Sequence, residues 1–482
     1  MADSAEPSNE QDILLGSKSP LRTLFSLSPG PFLFNVVCSL YGVIETLYFS
    51  KAFGDQSLAV LGAAFPMVVL TYIVPDFLVS GFSIQTGFLF GKKEPQEVAQ
   101  MFVDYLRIAI ILQVIYPLTI IFGAIPIAKM FGASDYLAEM SKQYLSPFCY
   151  SIFITLLFSL SSNLMQCSGH SYIYGIAQLG YQVLNLGIVS PVLLFVIKTP
   201  IWGSLLANQI SQGVFGIALA IYIFNKDFEF KPTISMFFKP FGSSLRHGIK
   251  LGVPNLFDFF GRTVAPMLIQ AYLAKAAKAE GIADPVLMVW GICNKIGYIV
   301  LMITLTINGA YIPAASYAFG SNKPQRLIQL TFHAMWISCI STGVLGVIII
   351  LYSRQISSIW SSDPEFLKAA EDILPIFHYT SFTQGFQILA QVFIMTQRRP
   401  IRASMMSIFA YGIPVFGFCA LMYYTNPNDA SRIIHGYNLA DIWSVVFSLL
   451  FMYSPLMEQV NKSGASLCNI MVDHESEDMP SV

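Results

Sequence analysis

Charge is what this sequence has least of. Only 11% of its 482 residues are Asp, Glu, Lys or Arg, while 55% are hydrophobic. A soluble protein carries about 25% charged residues. The mean hydropathy is +0.60, and the apolar residues come in long runs rather than amphipathic stripes. Both features exclude a cytosolic enzyme and describe a polytopic membrane protein. A net charge of −1 leaves no basic surface of the kind a nucleic acid requires. The seven cysteines (Cys38, Cys149, Cys167, Cys293, Cys339, Cys419 and Cys468) are scattered, without a CxxC or a Cys/His cluster. They read as small buried hydrophobes rather than disulfides or metal ligands. The N-terminus opens on Asp3, Glu6, Glu10 and Asp12, with no basic and apolar leader, so no signal peptide is expected. No Walker loop, HExxH, GxSxG or dinucleotide fingerprint occurs. An enzyme, an ATP-driven pump and a bound cofactor or metal are therefore not expected.

What is present is a series of runs near the length of about 20 apolar residues that crosses a bilayer. Twelve are read, near 31–52, 59–89, 101–124, 142–166, 171–196, 201–224, 248–275, 285–318, 327–352, 372–396, 402–424 and 438–457. The second and eighth are too long for a perpendicular span and must tilt, kink or project. With the N-terminus placed inside, 15 loop lysines and arginines fall inside and 9 outside, the sense of the positive-inside rule. Both termini are then expected in the cytoplasm. The organisation expected is a cytoplasmic segment 1–30, a first lobe 31–224, a linker 225–250, a second lobe 251–457 and a polar tail 458–482 expected to be disordered. In the linker, Phe228, Phe230, Phe237, Phe238 and Phe241 alternate with lysines. That suits either a headgroup-level segment or a plain connector.

The two halves resemble one another. Phe90-Gly91-Lys92-Lys93-Glu94-Pro95-Gln96 recurs as Phe319-Gly320-Ser321-Asn322-Lys323-Pro324-Gln325, an offset of 229. Ser134-Asp135 recurs as Ser362-Asp363 at 228, and Phe148 as Phe377 at 229. Six spans lie within one offset, so both halves enter the membrane in the same sense. They should be related by a pseudo-two-fold axis along the membrane normal, as in several secondary transporters.

On these segments the chain resembles the MATE (multidrug and toxic-compound extrusion) family of the MOP flippase superfamily. The resemblance rests on Gly42-Val43-Ile44-Glu45-Thr46-Leu47-Tyr48-Phe49 and Leu58-Ala59-Val60-Leu61-Gly62-Ala63-Ala64-Phe65-Pro66. It extends to Val183-Leu184-Asn185 with Pro191, and to Pro313-Ala314-Ala315-Ser316-Tyr317-Ala318-Phe319-Gly320. It implies an all-α fold of twelve transmembrane helices in two six-helix lobes around a V-shaped cavity. It also implies export of organic, often cationic compounds in exchange for protons or sodium.

The few polar groups inside the runs are the candidate machinery. Glu45 has no basic residue within one turn. A charge at mid-helix costs about 2.5–3.5 kcal/mol even on the lenient insertion scale, so a partner, water or a proton is needed. The resemblance matches Glu45 to the family's acidic coupling residue, and Asn163 and Asn185 to asparagines that join the acid in one branch. Interhelical hydrogen bonding accounts for the two amides equally well. Where that branch repeats a carboxylate, this chain has Val189 followed by Ser190, which favours H+ over Na+ as coupling ion. Asp258 and Arg262 stand i, i+4 and can pair. With Lys295 and Gln391 (matched to Asn163 at offset 228) they form a candidate second-lobe polar site or a structural network. Asp76, after Pro75, and His378 are candidate cavity residues, whereas Asp104 and Arg107 read as a surface pair.

These features lead to a secondary active antiporter exporting cationic or neutral lipophilic compounds by alternating access. The alternative is a lipid or lipid-linked oligosaccharide flippase. A monomer is expected, in the plasma membrane or an internal, vacuolar one, with the small substrate, the coupling cation and the lipid bilayer as its partners.

Overall fold

Hydrocarbon offers no hydrogen-bond partner to a peptide group, so a chain of this composition crosses it as helices that satisfy their own backbone. The computed structural model describes residues 12–54, 58–130, 133–281, 283–361, 363–466 and 470, and no strand occurs among them. After a π-helical turn at Asp12–Ser17 the first half runs α1 (Pro20–Leu27), α2 (Pro29–Phe53), α3 (Leu58–Gly91), α4 (Pro95–Met130), α5 (Asp135–Leu145), α6 (Phe148–Cys167), α7 (Ser171–Leu184) and α8 (Gly203–Asn225). Two π-helical segments, Asn185–Val189 and Val192–Val196, continue α7. The second half runs α9 (Ser243–Glu280), α10 (Ala283–Gly320), α11 (Pro324–Leu351), α12 (Ser353–Ser357), α13 (Pro364–His378), α14 (Thr383–Thr396) and α15 (Pro400–Met406). A π-helical Ser407–Gly412, α16 (Ile413–Thr425) and α17 (Ala430–Ser463) complete it.

Helix covers most of every expected run, and the fourth is divided between α5 and α6 by a turn at Ser146 and Pro147. Among the described residues nine helices are both long and apolar enough to span a bilayer. The tenth run is two helices, α13 and α14, joined by a turn after His378. The long second run is one 34-residue helix with Pro66 and Pro75 inside it. At 1.5 Å per residue it measures about 51 Å, well beyond a hydrocarbon core of about 30 Å.

The chain divides into two compact units, one of Met1–Gly16 and Ser26–Gly252, the other of Ser17–Phe25 and Val253–Val482. Ser17–Phe25 is held within the second unit by Arg326, whose guanidinium donates to Lys18 O at 2.5 Å and Thr23 Oγ1 at 2.9 Å. The expected tail lies mostly outside the described residues, although α17 itself runs on to Ser463.

The repeat is legible in backbone geometry. α3 ends at Gly91 and α10 at Gly320, α4 starts at Pro95 and α11 at Pro324, and α6 ends at Cys167 and α14 at Thr396, each pair 229 apart. Ser134 and Asp363, again 229 apart, cap α5 and α13 by accepting Leu137 N–H and Phe366 N–H. Left-handed residues pair likewise: Lys93 (φ 59°) with Asn322 (φ 55°), and Gly169 (φ 88°) with Arg398 (φ 60°). At this offset Gln391 aligns with Ser162, not with Asn163. The contact itself is preserved with its residues exchanged: Gln178 Nε2 donates to Ser162 Oγ at 3.3 Å, and Gln391 Nε2 to Ser407 Oγ at 2.8 Å.

Asp104 and Arg107 are not a surface pair. Asp104 is fully buried and accepts from Gly242 N at 2.8 Å, Gln100 Nε2 at 2.9 Å and Arg107 at 3.2 Å. Arg107 also donates to Lys239 O at 2.8 Å and stacks over Phe241 at 3.9 Å. The pair clamps the linker onto α4, because a buried carboxylate needs its donors supplied. In the first unit α3 meets the start of α9 at glycines. A Cβ on Gly252 would stand 1.9 Å from Phe77 O, and one on Gly81 2.0 Å from Gly248 O. Small residues permit such backbone approach between membrane helices.

Candidate polar sites in the two lobes

In the first lobe two helices each present a polar stripe at four-residue spacing. Tyr41 and Glu45 share a face of α2; Ser204, Asn208 and Gln212 share a face of α8. A third contribution comes from Asn185, where α7 passes into its π-helical segment. Such an inserted residue is a frequent feature of functional sites.

The hydrogen bonds converge on one hydroxyl. Tyr41 Oη accepts from Asn185 Nδ2 at 3.0 Å and from Asn208 Nδ2 at 2.8 Å. Both lone pairs are then used, and its proton is donated to Glu45. Ser204 Oγ donates to Glu45 Oε1 at 3.0 Å. Behind this shell Ser190 Oγ donates to Asn185 Oδ1 at 2.8 Å, and Gln212 Nε2 to Asn208 Oδ1 at 2.8 Å. Glu45 makes no ion pair among the described residues. It is a half-buried carboxyl group held by two hydroxyls and backed by two amides.

Asn163 stands apart from this network. Its Oδ1 accepts from Ser83 Oγ at 3.1 Å and its Nδ2 donates to Ser159 O at 2.9 Å, tying α3 to α6. Asp76 is exposed. Tyr72, one turn earlier, lies within electrostatic reach of both Asp76 and Glu45. Tyr41, Ser204, Asn208 and Gln212 were missed by sequence reasoning. The i, i+4, i+8 spacing of Ser204, Asn208 and Gln212 within an apolar run was the signal that could have found them.

The second lobe gathers its polar groups elsewhere than expected. Asp258 is half-buried and engaged, and Lys295 is exposed. The side chain of Arg262 lies outside the described residues, so the Asp258–Arg262 pairing is not described. Gln391 is buried against Ser407, whose Oγ reaches Pro254 O. His378 is buried, with Nδ1 2.9 Å from Ser381 Oγ and Nε2 without a partner among the described residues. The acidic centre is instead Asp441 on α17, an intramembrane acid that sequence reasoning passed over. It accepts from Thr380 Oγ1 at 2.5 Å and Gln387 Nε2 at 3.2 Å. With Asn294, Tyr298, Gln384 and Tyr437 it lines a cavity of about 210 Å³. Asp441 is the repeat equivalent of Gln212, and Tyr437 that of Asn208. α8 and α17, repeat equivalents, therefore each carry polar groups at corresponding positions.

Comparison with known proteins follows this geometry. The MatE family profile matches residues 31–189 and 281–421. A probable multidrug resistance protein of Bacillus subtilis, YoeA, is 22% identical over 400 residues, covering 81% of this chain and 84% of YoeA. The uncharacterized transporter YisQ of the same organism is 21% identical over 446 residues, covering 88% and 91%. A solved multidrug resistance MATE family transporter of the MOP superfamily in an outward-facing conformation superposes with a TM-score of 0.86 at 16% identity. The match covers 95% of this chain and 100% of that one. A MOP superfamily transporter from Pyrococcus furiosus, described as having a binding pocket of reverse polarity, superposes with 0.84 at 17% identity and the same coverage. At these identities the structures speak to fold, which is the twelve-helix, two-lobe arrangement.

Proposed function

Since the chain belongs to the MatE family of multi-pass membrane transporters, we propose that it is an efflux antiporter. It exports cationic or neutral lipophilic organic compounds in exchange for protons, by alternating access, with Glu45 as the group that carries the coupling proton. The observation that supports this reading is the shell around Glu45. Its neighbours offer it two hydroxyl donors and no cation. A carboxylate satisfies that shell as an acceptor. Once protonated, Glu45 presents a donor of its own and must find an acceptor. Ser204 Oγ can turn to receive it. Tyr41 can receive it only by releasing Asn185 or Asn208, because both its lone pairs are occupied. Protonation therefore works against the bonds that tie α2 to α7 and α8. That gives proton binding a differential effect on two packings of the lobe, which coupling requires.

The shell holds a single carboxyl group, and the amide oxygens behind it already accept from Ser190 and Gln212, which favours protons over sodium. Asp76, sharing Tyr72 with Glu45, is proposed as the water-facing group through which the proton is exchanged. Both termini are placed in the cytoplasm on the basic-loop bias, and a monomer in the plasma membrane is the assembly proposed. The test is ethidium transport in sealed proteoliposomes under an imposed pH gradient and then a sodium gradient. The wild type should respond to pH, and Glu45→Gln should abolish that response at equal protein level. Full drive in Glu45→Gln would remove the coupling role from Glu45. Absence of any gradient response together with tight binding of an isoprenoid pyrophosphate would point to a flippase.

A further inference from the structure

Four side chains of α4 hold the linker that follows α8, and they stand on successive turns. Gln96 Nε2 donates to Glu229 O at 3.2 Å and Gln100 Nε2 to Met236 O at 3.2 Å. Asp104 accepts from Gly242 N at 2.8 Å, and Arg107 donates to Lys239 O at 2.8 Å. From Gln96 to Arg107 the helix rises about 16 Å, so the linker climbs that distance along α4. One turn further on, the surface of α4 changes character. Its large exposed apolar residues start at Ile110 and Ile111 and continue through Val114, Leu118 and Phe122. Between Arg107 and Lys129 α4 carries no Asp, Glu, Lys or Arg. That stretch measures about 33 Å, close to a hydrocarbon core of about 30 Å. Arg107 therefore marks the headgroup level of one leaflet, and the linker residues bonded to it share that depth.

At this depth the linker turns apolar side chains both ways. Met236 is buried with Ala99 and Val103, and Phe237 packs against them. Ile234 and Phe238, four residues apart, are exposed by 74% and 86%. Phe241 lies against the Arg107 guanidinium at 3.9 Å. Holding the linker on α4 uses Met236 and four backbone groups, and it needs neither outward side chain. In water both would forgo the gain of burial, whereas the boundary between headgroups and acyl chains supplies it. We propose that the linker is an interfacial anchor, with Ile234 and Phe238 inserted among the first acyl carbons of the bilayer. Continuity with the exposed apolar face of α4 identifies the occupant as lipid. The contact is apolar, so it requires no anionic headgroup, and it ties the depth of α4 to the membrane surface.

The experiment places a nitroxide on Phe238→Cys of the full-length protein in dioleoylphosphatidylcholine liposomes. Cys38→Ala, Cys339→Ala and Cys468→Ala leave only buried native thiols among the described residues. Power saturation then compares oxygen, which concentrates in hydrocarbon, with a water-soluble nickel chelate. At position 238 oxygen should be the stronger relaxant, as it should at Ile111→Cys on the apolar face of α4. At Glu229→Cys, an exposed position at the other end of the climb, the nickel chelate should be the stronger. Nickel dominance at position 238 and at Ile234→Cys would overturn the proposal. Dipolar broadening at position 238 that dilution with unlabelled protein relieves would overturn it too, by making the patch a contact between copies of the chain. Should the thiol replacements prevent folding, Phe238→Trp in the otherwise native chain serves instead. Its added emission should be lost in dibrominated phosphatidylcholine and should resist aqueous iodide, and the opposite pattern would refute the anchor.

Discussion

Replacing Tyr41 by Phe removes one oxygen and three hydrogen bonds, from Asn185, from Asn208 and to Glu45. Interhelical hydrogen bonds in membranes average about 0.6 kcal/mol, so the loss of three should cost the fold about 2 kcal/mol. The effect on transport should be larger than that figure suggests. A hydrogen bond to a charged partner is worth about 1.5–3 kcal/mol and exists only while Glu45 is ionised, so its loss falls on one state of the cycle. Proton-driven export should drop roughly ten- to a hundredfold, the same energy expressed as a ratio. A double-mutant cycle isolates the geometry. Tyr41→Phe and Asn208→Ala, measured singly and together by reversible unfolding in mixed micelles, should show a coupling of about 0.6–1.7 kcal/mol. Tyr41→Phe combined with Asn163→Ala should be additive, because Asn163 bonds to Ser83 and Ser159 instead. Additivity in the Asn208 cycle, or full pH-driven transport in Tyr41→Phe, would refute the network.

Two further outcomes concern the frame. Gly252→Ala, whose Cβ would lie 1.9 Å from Phe77 O, should lose folded protein on size exclusion after mild heating. Gly42→Ala, with nothing within 4 Å, should be neutral or gain up to about 1 kcal/mol from helix propensity; equal behaviour of the two would deny the close approach. Asp104→Asn should leave Arg107 uncompensated beside a buried amide, at about 3 kcal/mol. Chymotryptic cleavage after Phe238, which is exposed in the linker, should accelerate as the linker loosens, and an unchanged cleavage rate would show that the clamp holds by other contacts.

Much of the frame was legible because lipid restricts the choices. Hydropathy places all twelve runs, and FGxxxPQ supplies the repeat. The break of the tenth run into α13 and α14 was not legible, because both pieces are apolar and the turn between them carries no proline. Glu45 stood out as a lone charge in an apolar run. Its partners did not, since Tyr41, Ser204 and Asn208 are uncharged and their meeting depends on how three helices pack. Asp441 was passed over because it sits one turn inside the expected twelfth run, 438–457, where an acid resembles a helix-end residue, whereas α17 itself begins at Ala430. Only tertiary structure shows Thr380 and Gln387 turned toward it. Asp104 misled in the opposite sense. A charged pair near a helix start reads as solvated until the linker is seen folded over it.

The exchanged pair, Gln178 with Ser162 in one lobe and Gln391 with Ser407 in the other, carries a wider consequence. The fold keeps the bond between two neighbouring helices and is indifferent to which helix supplies the amide. What the halves inherit in common is a set of distances rather than a set of residues. Comparison of the halves by residue identity therefore understates their kinship wherever partners have traded places. A frame specified in this way leaves side chains free to diverge. One half can hold a lone acid among hydroxyls while the other turns a tight corner with Arg398, on backbones that remain in register.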